Sequence, residues 1–185
     1  MWTYPETYDV IVVGCGPAGI FCALELVKSG GLNVLLVEKG RELSKRSCPA
    51  IDKGINCPPC HPCDMVSGWG GAGAFSDGKL TISNEVGGLL NKYVGKQKSD
   101  ALIEEVDNVY MKYGVSGKVY GVGEEVKDLK SRANQADLSL IPTKVRHIGT
   151  DALRNRVLRG LHDFLRGKVE ISTGVAVDEI MVDGG

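Results

Sequence analysis

The sequence predicts an α/β fold built on a parallel sheet, and three observations carry that prediction. Residues 8–13, Tyr-Asp-Val-Ile-Val-Val, form a short apolar run suited to a strand buried on both faces. A glycine turn, Gly14-Cys15-Gly16-Pro17-Ala18-Gly19, opens a helical pattern that carries Ile20, Ala23, Leu24, Leu26 and Val27 and closes at Gly30-Gly31. A second apolar run, residues 33–37, then ends in the acid Glu38.

Each element brings its own chemistry. Gly14 permits the tight reversal, Gly16 lets the backbone approach an anion without a Cβ in the way, and Gly19 lets helix pack on strand. Pro17 sits in the first helical turn, where its missing N–H costs nothing. The remaining N–H groups, beginning at Ala18, face a phosphate together with the helix dipole. Glu38, followed by Lys39, ends the second strand where a carboxylate accepts hydrogen bonds from a ribose diol. Strand, glycine turn, helix, strand and acid together read as a Rossmann-like dinucleotide site. Glycine is abundant (25 of 185 residues), so a bare G-x-G-x-x-G would mean little without that context. Gly121-Val122-Gly123 shows the contrast: it lacks the third glycine and a preceding strand, and reads as a loop entering a helix.

Composition narrows the classes. A chain of 185 residues is long enough for one domain with a real core. A net charge of −1 gives no electrostatic pull toward nucleic acid or a membrane surface, and a small-molecule substrate or electron acceptor is the expected partner. No apolar stretch is long enough to span a bilayer. Residues 1–7 show neither the basic region nor the apolar core of a signal peptide, so the cytoplasm is the expected compartment. Six cysteines there read as metal ligands or redox thiols rather than disulfides.

After Glu38 comes a long irregular stretch, residues 39–81, rich in Gly, Pro and Cys. Loops of that length usually bind something. Three helical patterns follow. Ser99 or Asp100 is expected to cap the first, with Leu102, Val106, Val109 and Tyr113 inward and Gly114 as the stop. The second spans residues 124–136 with Val126, Leu129 and Ala133 on one face. The third starts at Thr150 or Asp151 and repeats Leu153, Val157, Leu161 and Leu165. Residues 168–172 and 175–182 read as strands, and Asp183-Gly184-Gly185 as a hairpin turn with no return strand. That last signal predicts the amino-terminal portion of a larger protein. The expected division is a first part of a dinucleotide-binding domain (1–95), a helical segment that begins a substrate or cap region (96–166), and a return to the first domain (167–185).

Inside the irregular stretch lie Cys48, Cys57, Cys60 and Cys63, spaced C-x8-C-x2-C-x2-C and interleaved with prolines. Three functional readings stand beside that of simple buried cysteines. The run suits an iron–sulfur cluster, where prolines often accompany ligands. Four thiolates also suit tetrahedral zinc. C-x2-C thiols near a flavin can cycle through a disulfide. Cys15 and Cys22 stand apart, one in the turn and one as a small apolar filler in the first helix. Directly after the run comes Gly68-Trp69-Gly70-Gly71-Ala72-Gly73-Ala74-Phe75-Ser76-Asp77-Gly78-Lys79-Leu80. Its small residues allow close backbone approach to a flat or anionic ligand, and Ser76, Asp77 and Lys79 add polar groups at its end.

GCGPAG, EKG, the cysteine run and GWGGAGAFSDGKL in this order resemble the FAD-dependent, or NAD(FAD)-utilising, dehydrogenases. The resemblance continues through Val86-Gly87-Gly88-Leu89 and through Arg146-His147-Ile148-Gly149-Thr150-Asp151. It implies a glutathione-reductase-like FAD fold with a helical insertion, the adenosine ribose on Glu38 and the pyrophosphate on Gly14, Gly16 and Gly19. It also implies that Gly70, Gly71 and Gly73 lie against the flavin end of FAD, with the backbone of Val177 beside the adenine. Members of that family are much longer, and a later Gly-Asp pair that meets the ribityl phosphate is absent from this sequence.

The expected function is therefore a flavoprotein whose isoalloxazine accepts a hydride from NADH, NADPH or a substrate. An iron–sulfur centre, if the cysteines hold one, would relay single electrons. Arg146 and His147, a basic pair before a helix, suit a carboxylate substrate, with a locally satisfied surface pair as the alternative; Lys79 is a third candidate. Two rival functions remain: a zinc-stabilised dinucleotide-binding module without redox turnover, and a flavin-dependent biosynthetic reductase of the isoprenoid-reductase type.

Overall fold

The computed structural model describes residues 7–115 and 117–182. In chain order the elements are β1 (Val10–Val13), α1 (Pro17–Ser29), β2 (Val34–Glu38), α2 (Pro49–Lys53), β3 (Lys79–Thr81), α3 (Leu90–Val94) and α4 (Lys96–Lys112). They continue with α5 (Glu124–Gln135), β4 (Val145–His147), α6 (Thr150–Ala152), a π-helical stretch (Leu153–Leu158), α7 (Arg159–Leu165) and β5 (Glu170–Thr173). Short 3-10 turns occupy Leu43–Lys45 and Gly71–Phe75. Two units form: residues up to Ser76 with those from Leu158 onward, and Asp77–Val157.

The first unit is organised by a parallel sheet in the order β1-β2-β5. Val10 to Val13 pair with Val34 to Val37, and Leu35 to Glu38 pair with Glu170 to Thr173. β2 lies between two neighbours, so its unbroken apolar run is buried almost throughout. Helix α1 makes the crossover from β1 to β2 and turns Ile20, Ala23 and Leu24 inward. With Val34, Leu36 and Val37 of β2, and Leu161 and Leu165 of α7, they make the core. β1 departs from the expected burial on both faces: Ile11 and Val13 are 55% and 59% exposed. Cys22 is exposed on α1 rather than a core filler.

The second unit is built on the antiparallel pair β3 and β4, in which Leu80 faces Arg146. This pair has no counterpart in the expected organisation, because three-residue strands carry too little periodicity to register. The Arg146 guanidinium on β4 grips the Asp107 carboxylate on α4 in a two-pronged ion pair of 2.6 and 2.7 Å, and both residues are buried. Helix α4 starts at Lys96 after Gly95, earlier than expected. Ser99 is fully buried in its first turn and so is not its cap. Helix α5 occupies its predicted place but has no buried residue, and Leu129 is 51% exposed.

The third helical pattern is present with Leu153, Val157, Leu161 and Leu165 buried, interrupted by its π-helical stretch. The irregular stretch holds α2, two 3-10 turns and β3, so it is less structureless than its composition predicts. Residues 175–182 form no strand. The Gly174 and Val175 N–H groups donate to the carbonyls of Gly40 and Glu38, and the chain then leaves the sheet. The hairpin signal at Asp183-Gly184-Gly185 and the first six residues lie outside the described residues. Among the described residues no helix is long and apolar enough to cross a membrane.

Replacing fully buried Leu161 by Ala should cost about 2–5 kcal/mol in a urea unfolding experiment. Leu129→Ala, on the exposed face of α5, should stay within about 0.5 kcal/mol of the parent.

Candidate functional site

The turn between β1 and α1 is shaped by one close approach. A Cβ on Gly19 would lie 1.9 Å from the Gly14 carbonyl oxygen, so only glycine lets the helix sit this near the strand end. Gly16 caps α1 in extended geometry with no side-chain hydrogen bond, and Pro17 follows as the first helical residue. The helix therefore begins without a capping oxygen, and its first-turn N–H groups keep their capacity for an anion. That arrangement fits a dinucleotide's diphosphate.

Glu38 does more than its place at the end of β2 predicts. Its carboxylate is 6% exposed and accepts three backbone hydrogen bonds: from Cys15 N–H at 2.7 Å, Gly40 N–H at 2.8 Å and Gly68 N–H at 2.8 Å. Burial pushes its pKa upward, but these three bonds and the Arg46 charge outweigh burial and hold it below the ordinary value. An ionised carboxylate offers about four acceptor positions, one more than these three bonds use. Glu38 is the knot that ties three loops.

The glycine-rich loop is seated on the same turn. Gly70 N–H donates to the Cys15 carbonyl at 2.8 Å, and Trp69 N–H to that of Arg41 at 3.1 Å. A Cβ on Gly71 would come within 3.2 Å of the Gly16 Cα, so loop and turn run almost backbone to backbone. Trp69 is fully buried, donates its indole N–H to the Leu158 carbonyl at 2.9 Å, and meets the His162 ring edge-on at 4.9 Å. Arg46, which nothing in the sequence singled out, is 2% exposed. Its guanidinium donates to the carbonyls of Asp64, Trp69 and Gly71 at 2.8, 2.6 and 2.8 Å and lies 4.8 Å from the Phe75 ring centre. A sequence signal for it would have been an arginine close ahead of a glycine run, too common a pattern to be informative.

Residues 8–127 match the pyridine nucleotide-disulphide oxidoreductase family. The chain belongs to that family. It is 33% identical over 133 residues to an uncharacterized protein of Clostridium beijerinckii, covering 67% of this chain and 24% of that protein. It is 26% identical over 191 residues to the tRNA uridine 5-carboxymethylaminomethyl modification enzyme MnmG of Chlamydia trachomatis, covering 97% of this chain and 30% of MnmG. A third relative is the vinyl phenol reductase of Lactiplantibacillus plantarum, 28% identical over 115 residues, 62% of this chain and 17% of the reductase. The chain thus spans less than a third of the length of each of these relatives. Its α/β architecture is the Rossmann-like FAD-binding fold that the sequence predicts.

Within this family fold the remaining candidates fall as follows. Gly73 belongs to the 3-10 turn of the glycine loop, and Ser76 at its end donates its hydroxyl to the Gly73 carbonyl at 3.0 Å. Lys39 is exposed beside Glu38, and Val177 is 42% exposed in the irregular segment after β5. Cys48 starts α2, Cys57 is exposed, and Cys60 and Cys63 are half-buried. Among the described residues no three His, Cys, Asp or Glu side chains form a group able to hold a metal.

Asp77, Lys79, Arg146 and His147 belong to the second unit. Lys79 is exposed and paired with Asp77 at 2.7 Å. Arg146 is committed to Asp107 instead of being presented to a substrate anion, whereas His147, next to it on the strand, is exposed. Strand alternation explains the difference, since neighbouring side chains point to opposite faces.

Glu38→Ala should destabilise the protein by about 3–5 kcal/mol at neutral pH, because three buried N–H groups lose their acceptor. The carboxylate's contribution is fully present above its unfolded pKa of about 4.5 and is lost as pH falls through the lowered native value. The stability gap between wild type and Glu38→Gln should therefore narrow in acid, as followed by denaturant melts across pH. Burial first, and the Glu38 charge second, push the Cys15 thiol up to about 12. Maleimide at pH 8 should label the exposed Cys22 and Cys57 and leave Cys15 unmodified until the protein unfolds, as read by peptide mass mapping.

Proposed function

We propose that this chain holds FAD for a flavin-dependent oxidoreductase of the NAD(FAD)-utilising dehydrogenase type. The observation that carries the reading is the uncapped start of α1 facing the glycine turn, with the buried Glu38 carboxylate at the end of the adjacent strand. Membership of the pyridine nucleotide-disulphide oxidoreductase family supports it.

In this reading the first-turn N–H groups of α1, including Ala18 and Gly19, hold the diphosphate, and the helix dipole adds to their attraction. Glu38 takes a ribose hydroxyl on its remaining acceptor position. Gly70, Gly71 and Gly73 bring bare backbone against the ligand from the opposite side of the turn, while Trp69 closes the interior behind them to water. Cys15, kept as a neutral thiol, contributes its backbone to both Glu38 and Gly70 and takes no part in electron transfer. A bound flavin supplies the redox chemistry, accepting a hydride from NADH, NADPH or a small organic substrate. Similarity to a vinyl phenol reductase supports a reductive role toward a small molecule. The zinc-stabilised, non-redox module is the rival reading, and among the described residues no three possible ligands are grouped for a metal.

Purified full-length protein should carry stoichiometric flavin, with visible bands that bleach under anaerobic NADH or NADPH. Gly19→Ala should abolish flavin uptake while β1 and β2 still form. A wild-type protein that takes up no FAD on reconstitution would overturn the reading.

A further inference from the structure

We propose that Arg46 is the positioning residue of the dinucleotide site, fixing the glycine loop onto the turn that receives the cofactor. The inference rests on the FAD reading above for its functional consequence and on the loop's own geometry for its mechanism.

A trans peptide points its C=O and N–H in opposite directions. In the Trp69–Gly70 peptide that rule turns the carbonyl to Arg46 and the N–H to the Cys15 carbonyl, and neighbouring groups extend both anchors. The N–H groups of Gly68 and Gly70 go to Glu38 and the Cys15 carbonyl, on the side of the dinucleotide turn. The carbonyls of Trp69 and Gly71 go to separate nitrogens of one guanidinium, and the third nitrogen takes the Asp64 carbonyl at the loop's approach. The loop is thus held from both sides, by an acid and a turn on one and by Arg46 on the other. The planar, rigid fork of arginine can meet three carbonyls at fixed angles, which a lysine ammonium on a flexible stem cannot reproduce. Gly71, the far end of the clamp, also lies against Gly16, whose Cα an added Cβ would approach to 3.2 Å. Releasing its carbonyl therefore frees the part of the loop that borders the start of α1.

Two measurements on full-length protein test this. In hydrogen exchange of the flavin-free protein, Arg46→Lys should deprotect the amides of residues 68–75 while β1 and β2 stay protected. In titrations with FAD well below the melting temperature of the flavin-free variant, Arg46→Lys should raise the Kd by about tenfold or more. Arg46→Ala should lose FAD more severely, and added methylguanidinium should restore part of its binding, a rescue that a general packing defect would not show. Wild-type FAD affinity in both variants would overturn the proposal, as would unchanged loop protection in Arg46→Lys. If the wild type itself bound no FAD, the flavin reading would fall. The exchange experiment would then still decide whether Arg46 clamps the loop.

Discussion

The first unit hangs on the Glu38 carboxylate. One buried anion gathers the N–H groups of Cys15, Gly40 and Gly68, which come from the dinucleotide turn, the exit of β2 and the entry to the glycine loop. Each of those N–H groups would be costly to bury unpaired, and those of Cys15 and Gly40 lie just past the ends of β1 and β2. The carboxylate replaces the missing ladder. It stays ionised despite its burial because the bonds it accepts favour the charged form.

Arg46 completes the arrangement with the opposite polarity. Glu38 collects donors and Arg46 collects acceptors, and the loop between them is forced into one course. The pair also couples electrostatically, since the Arg46 charge helps to keep Glu38 ionised. Polar networks in low dielectric are strong only when every member is satisfied. Such a network specifies a loop conformation more sharply than apolar packing does, and a site that must meet a flat, charged ligand needs that sharpness. Trp69 adds the apolar half, filling the interior beneath the loop and tying it to Leu158.

The second unit uses the same device in a simpler form. Arg146 and Asp107 are buried together and fix α4 to β4. A buried pair of this kind contributes modestly to net stability, but losing either partner is expensive. Arg146 is thereby spent on Asp107, while its strand neighbour His147 is exposed.

The sequence by itself determined the β1–α1–β2 unit, the glycine turn, the acid at its far end and the inward faces of the helix at residues 150–165. Those features are local: period, spacing and glycine placement fix them over a few residues, and no distant partner can change their meaning. It did not reveal the short strands β3 and β4, nor the early start of α4, because neither carries a periodic signal. For Arg146 and the cysteines, residue type alone leaves the role open. A residue type declares which chemistry is available, whereas burial and partners decide where that chemistry is spent. Only the tertiary structure brought Asp107 to Arg146 and laid Arg46 under three carbonyls up to 25 residues away. These are long-range electrostatic choices, made when the chain closes on itself and buried charge must find a partner.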